Sequence, residues 1–217
     1  QKLLGSVYLL SPTQVERFYQ CPFSYFCANA LKVYPRQRAE LGGLSIGSMV
    51  HFVLENMLKN PSFLTESPDD IKGQIKKASE TFLQERIGNL KSQPASILSQ
   101  AKKIEQNLFI LCRNIQKELN LSGFKPKALE SSVSGSIYES SWSINLDGKE
   151  QARVIGTMDR VDGYHLDGKE YLRVIDYKSG AGKQFQLSDI YHGLNLQMLL
   201  YLFSQCSEQE SLPAGAL

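Results

Sequence analysis

The chain has 217 residues, enough for one sizeable core, and its 24 basic against 22 acidic side chains leave a formal charge of +2. That balance excludes a strong basic field for nucleic acid, though not a local basic groove. No apolar run reaches the roughly 20 residues that cross a bilayer, and no secretory leader pattern opens the sequence.

Residues 1–10 read as a short apolar lead-in with strand character. Ser11, Pro12 and Gln14 form a capping-box start for a helix that should run to about Ala30, interrupted or kinked at Pro22. Its Phe18, Tyr19, Phe23, Tyr25 and Phe26 are read most simply as core packing, with stacking on single-stranded bases as the alternative. Residues 34–43 form a polar loop. A second helix is predicted over about Ser45–Lys59, where His51 and Glu55 share a face and a histidine bonded to Glu55 is the plain reading.

Ser67-Pro68-Asp69-Asp70 begins a third helix with the stripe Ile71, Ile75, Ala78 and Phe82. Residues 96–120 give the cleanest helical pattern, through Ile97, Ala101, Ile104, Leu108, Leu111, Ile115 and Leu119. Lys72, Lys76, Lys77, Lys102 and Lys103 occupy polar positions of these two helices. They read either as a solvated face or as contacts to a nucleic-acid backbone.

Strand character starts near Phe124, with Glu130 on the first strand and Trp142 and Ile144 on the next. LDGKE occurs at 146–150 and again at 166–170, the same turn chemistry used twice. The stretch from 154 to 180 is the strongest in the chain. Asp167-Gly168 between two runs rich in Val, Ile and Tyr predicts a two-residue hairpin. Asp159 lies on its first strand, Asp176 and Lys178 on its second. Side chains alternate along a strand, so Asp176 and Lys178 should share a face with Leu172 and Val174. Ile175 and Tyr177 take the other, which marks a central strand covered on both sides.

Two carboxylates beside a lysine suit divalent-metal hydrolysis of a phosphate ester. Carboxylate oxygens hold Mg²⁺, and the lysine can orient a water or the phosphate. A sheet-surface salt bridge of Asp159 with Arg160 or Lys178 explains the same triplet. SGAGKQFQ (179–186) lacks the GxxxxGK[ST] arrangement and is not a nucleotide-binding loop, so Lys183 is a phosphate contact or plain surface. Ser188 should cap an apolar helix reaching about Gln205, with Gln197 and Tyr201 four apart on one face.

Cys21, Cys27, Cys112 and Cys206 form no CxxC pair. Without a secretory signal they are read as free thiols rather than a disulfide framework, Cys27, Cys112 and Cys206 as small buried residues. The sequence opens without Met and stops in the apolar LPAGAL (212–217). We therefore expect one domain over 1–217 taken from a longer chain, 1–120 mainly helical and 121–206 holding the sheet and the candidate catalytic residues.

GSMVHFVLE (47–55), GTMDRVD (156–162), VIDYKSG (174–180) and NLQMLLYLF (195–203) together resemble the PD-(D/E)XK nuclease superfamily and its RecB-like members, in that family's order. LSPTQVERFYQCPFSYF (10–26) and LPAGAL narrow the resemblance to nuclease domains of AddB/RexB-type helicase–nuclease subunits. The resemblance implies an α/β, restriction-endonuclease-like fold. A mixed sheet of four or five strands would be flanked by helices, after an N-terminal helical region. It implies Mg²⁺ or Mn²⁺ held by Asp159, Asp176, His51 and the backbone carbonyl of Tyr177. Lys178 would position the water, Gln197 and Tyr201 would support the geometry, and Glu130 would be a further ligand or helper.

The partners it implies are DNA, as single strands or duplex ends, and an AddA-like helicase subunit. The task would be exonucleolytic degradation of the strand ending 5′ at double-strand breaks, in the cytoplasm and away from membranes. In many AddB-type and related nucleases a cysteine at the Cys21 position joins three more near the C-terminus around a 4Fe-4S cluster. Those three are not in this sequence, so a cluster cannot be completed from these residues. A catalytically silent DNA-binding scaffold, an iron–sulfur protein and a stand-alone RecB-like nuclease remain as alternatives.

Overall fold

The computed structural model describes residues 8–33, 46–88, 93–132, 143–146, 149–178 and 187–217. They fall into two compact units. One comprises Gln1–Ala39, Glu130–Asp176 and Gly182–Leu217, the other Glu40–Leu129 with Tyr177–Ala181.

The helical unit is built on three helices whose sequences repeat apolar residues at helical spacing. They are α3 (Ile46–Lys59), α4 (Pro68–Ile87) and α5 (Ala95–Ser122). The α4 start is the one the sequence predicts, with Ser67 accepting the Asp70 N–H and Pro68 in the first turn. Gly123, at φ 72°, ends α5 in the left-handed conformation that terminates helices. Val53, Leu54, Met57, Ile71, Ile75, Leu108 and Cys112 are almost wholly buried in one core. Each such apolar side chain contributes roughly 1.5–3 kcal/mol. The 3₁₀ turn Phe63–Thr65 is tied to α5 by the buried Gln116 carboxamide, which donates to the carbonyls of Phe63 (2.8 Å) and Glu66 (3.1 Å).

The sheet unit begins with β1 (Tyr8–Leu10) and α1 (Pro12–Gln20), whose Ser11–Gln14 capping box is complete. The helix breaks at Cys21, before α2 (Pro22–Tyr25) and a π-helical turn Phe26–Ala30. Phe18, Tyr19, Phe23 and Phe26 are exposed. The core reading of these aromatics is therefore corrected: an apolar helix face shows that something can cover it, not what does. Residues 34–43 lie outside the described residues, as do Trp142 and residues 179–186 with Lys183.

Two sheets organise the rest of this unit. β1 runs parallel to β4 (Lys149–Val154), and β3 (Ser143–Leu146) runs antiparallel to β4. The larger, mixed sheet has the order β2–β5–β6–β7, from β2 (Lys125–Ser132), β5 (Thr157–Leu166), β6 (Lys169–Ile175) and β7 (Leu212–Ala216). The predicted hairpin joins β5 to β6. Asp167 and Gly168 both take positive φ, 50° and 73°, as a type I′ turn requires. β6 is central and buried from Leu172 to Ile175, and β7 pairs parallel to its other edge.

The chain then forms α6 (Leu187–Tyr191) and α7 (Gln197–Gln209), the latter packed on β6 and β7. The single predicted helix from Ser188 is thus two. Gly193 and Asn195, at φ 75° and 55°, turn the chain between them, and the Asp189 carboxylate accepts the Asn195 amide at 2.7 Å. A Cβ on Gly193 would lie 2.4 Å from the Tyr19 ring, so this turn needs glycine twice over. Among the described residues, no helix is long and apolar enough to cross a membrane.

Candidate active site

In the sheet unit, Asp159 sits near the start of β5 and is buried. Glu130 on β2 brings a carboxylate oxygen within 4.8 Å of one on Asp159. Its backbone takes φ 46°, a conformation a non-glycine residue rarely adopts, within a strand that runs on to Ser132. Asp176 is not within the same 4.8 Å grouping. β6 proper stops at Ile175, and the Asp176 N–H extends its ladder by one bond, to the Leu217 carbonyl (3.0 Å). The predicted same-face pairing of Asp176 with Lys178 along a strand is therefore corrected. The strand has ended before either residue, and strand alternation cannot orient the exposed Lys178.

Helix α7 serves this region from its first turn. Gln197 opens the helix and donates from Nε2 to Asp176 Oδ1 at 3.0 Å. One turn later, the buried Tyr201 is hydrogen-bonded to the backbone of Thr157. Burial raises the phenol's pKa, with the charges of Asp176 and Asp159 adding to the rise and the Thr157 bond opposing it. Tyr201 therefore stays protonated at any ordinary pH. It can act as a neutral hydrogen-bond donor, not as a base.

Sequence reasoning missed Gly156. A Cβ there would lie 2.1 Å from Tyr201 Oη and 2.6 Å from its ring, so only glycine leaves room for the phenol. The available signal was a lone glycine at the mouth of a strand, which often marks a close approach.

In the helical unit, His51 on α3 is half-buried and its Nε2 donates to the Tyr177 carbonyl at 3.1 Å, the two rings standing edge-to-face. Glu55 pairs instead with Lys59 at 2.6 Å, so the plain reading of a His51–Glu55 bond is corrected. Tyr177 follows Asp176 directly in the chain. Its carbonyl fixes the proton on His51 Nε2, leaving Nδ1 unprotonated in the neutral ring.

The Glu130 and Asp159 carboxylates offer hard oxygen atoms at a spacing one divalent cation can bridge, which fits Mg²⁺ or Mn²⁺ better than a thiophilic metal. The donor set does not fit an iron–sulfur cluster. Cys21 is exposed, with its Sγ taken by the Ser24 N–H at 3.4 Å, Cys112 and Cys206 are buried, and no group of cysteines gathers among the described residues.

The sequence pattern of the PD-(D/E)XK nuclease superfamily matches residues 9–217. The chain belongs to this superfamily. This PD-(D/E)XK chain is 33% identical over 239 residues to an ATP-dependent helicase/deoxyribonuclease subunit of Clostridium kluyveri, a match covering 100% of the chain and 20% of that protein. The protein of the same name in Clostridium tetani is 30% identical over 231 residues, again covering 100% and 20%. That of Clostridium botulinum strain Hall is 32% identical over 212 residues, covering 93% and 18%. The chain thus spans about a fifth of the length of these relatives.

Proposed function

We propose that this chain is a metal-dependent deoxyribonuclease domain that hydrolyses DNA phosphodiester bonds. The observation that carries the reading is the work of one helix on two carboxylates. Gln197 fixes Asp176 by a hydrogen bond, and Tyr201 stands within the field of both Asp176 and Asp159. A fold with no chemistry here has little use for that arrangement, because buried acidic groups are costly without partners.

Asp159 and Asp176 would hold Mg²⁺ or Mn²⁺, with Glu130 adding a carboxylate or steadying the attacking water. When bound, the cation supplies a more acidic water and offsets negative charge building on phosphate. The family resemblance adds His51 and the Tyr177 carbonyl, both in the helical unit, as further candidate ligands. Their mutual hydrogen bond already orients both, and a cation taken by Nε2 must first displace its proton. Lys178 orients water or phosphate, Gln197 holds the Asp176 carboxylate in one rotamer, and Tyr201 donates without taking a proton.

The relatives' names, helicase/deoxyribonuclease subunits, support an assembly with a helicase, and the family resemblance supplies the finer reading. The domain would act as an exonuclease on the strand ending 5′, beside an AddA-like helicase subunit, during repair of double-strand breaks in the cytoplasm. Cleavage of end-labelled single- and double-stranded DNA, with Mg²⁺, Mn²⁺ or EDTA, tests the chemistry. We expect cutting by the wild type that EDTA and Asp176→Ala each stop. Wild-type rates in the variant would sink the assignment, and a wild type that neither cuts nor binds metal would be a scaffold.

A further inference from the structure

Helix α7 begins without a cap of its own. Its N-cap residue, Leu196, carries no side-chain acceptor for the first-turn N–H groups, and at φ −77°, ψ −19° it is already helical. Helix ends that nothing closes fray. Yet Gln197, the first residue of that turn, holds the Asp176 carboxylate at 3.0 Å. Functional groups work within about 0.5 Å of their productive places, a tolerance that an unanchored helix end does not keep. The anchor has to come from the chain ahead of the helix.

Asp189 of α6 supplies it. Its backbone carbonyl accepts the N–H groups of His192 (3.0 Å) and Leu194 (2.9 Å), and its carboxylate accepts the Asn195 amide at 2.7 Å. One residue thus ties down the whole turn, as far as two positions before Gln197. Asn195 takes φ 55°, a region that asparagine tolerates better than most side chains. From α1, the Tyr19 ring closes over the buried Gly193. We propose that Asp189 and Asn195 are a positioning pair for the reaction, acting through Gln197 on the Asp176 carboxylate. The inference rests on the nuclease reading, which gives Gln197 its task. A turn serving only the fold needs neither side chain. The backbone carbonyl of residue 189 would close it whatever the side chain, and glycine at 195 would take the positive φ with less strain. The added bond has an ionised acceptor and is partly buried, which makes it stronger than a neutral bond in water. It fixes the point from which α7 starts.

Rates of cleavage against DNA concentration test the pair, at a temperature where urea unfolding shows every variant folded. Asn195→Gly keeps the φ of the turn and removes the amide, Asp189→Ala removes the acceptor, and Asp189→Asn keeps an acceptor oxygen. We expect kcat to fall about tenfold or more in the first two with KM within about twofold, and Asp189→Asn to recover most of the rate. Added to Gln197→Ala, Asn195→Gly should cost nothing further, because its effect passes through the residue already removed. The NMR signal of the Gln197 side-chain amide, identified by its loss in Gln197→Ala, reads the same contact without cleavage. It should move in Asn195→Gly and keep its place in Asp189→Asn. Wild-type kcat in Asn195→Gly, a change in KM alone, or a full second loss on top of Gln197→Ala overturns the proposal. A wild type that cuts no DNA fails the nuclease reading itself. The amide signal still decides the pair in that case, and one unmoved in Asn195→Gly overturns it.

Discussion

Tyr201 and Gly156 show how much depends on single atoms at this site. The phenol is buried, and the space beside it is open only because residue 156 has no Cβ. Gly156→Ala puts a methyl group 2.1 Å from the hydroxyl, so the ring must leave its place or the strand must shift. We expect a loss of stability of about 1–3 kcal/mol from overpacking. Cleavage should fall by roughly 10–100-fold, the scale on which orienting groups act. Urea unfolding and single-turnover cleavage measure the two separately. Adding Tyr201→Leu should restore the stability without the activity, whereas full activity in Gly156→Ala would remove Tyr201 from the mechanism. Gln197 and Tyr201 could be read from the sequence because their four-residue spacing is local. Gly156 could not, since its neighbour arrives from a helix far along the chain.

At the scale of strands, the β5–β6 hairpin carries a second polar group with no part in the proposed chemistry. Asp162, with no exposed surface, accepts from Arg160 Nε and Nη2, both at 2.8 Å, and from Arg173 Nε and Nη2, at 2.9 and 2.7 Å. Asp162 and Arg173 face each other in register, and Asp162 is three residues from Asp159, so the two acids project from opposite faces of β5. Removing the carboxylate that both buried guanidinium groups share takes an ionic partner from each. We expect Asp162→Ala to cost about 3–5 kcal/mol, seen as a lower urea midpoint at unchanged slope. A cost under about 1 kcal/mol would mean that other partners carry these arginines. The sequence reads well at this scale where one pattern rules: the stripes of α4 and α5, the Ser67 cap of α4, the Asp167-Gly168 turn, the two-sided burial of β6. It misleads where local chemistry competes with the pattern. Apolar residues run on from Ser188, but Gly193 and Asn195 break the helix, so Gln197 opens α7 instead of lying within it.

Across the whole chain, the pieces of the candidate site come from segments far apart in sequence, so the proposed cation binding would be a property of the folded state alone. Glu130 lies on β2, Asp159 on β5 and Asp176 just past β6, and in the unfolded chain nothing gathers them. Their identity as acids was legible through the family motifs. The approach of Glu130 to Asp159, through a positive φ, was not, because no residue pattern announces glutamate in that conformation. The exposed Phe18, Tyr19 and Phe23 mark the same boundary from the other side, since composition says that a face is apolar and not what meets it. A ligand that binds only the native state stabilises it by mass action, about 2.7 kcal/mol at a concentration one hundred times Kd. For a chain of this length that amounts to roughly 5–10 °C in Tm. Thermal unfolding of EDTA-treated protein, with and without Mg²⁺, should show a rise of that size in the wild type and almost none in Asp159→Ala. The contrast separates a cation held by these carboxylates from general screening of surface charge, which would raise both proteins alike. An equal shift in the variant would place the cation elsewhere, and with it the chemistry proposed for Asp159.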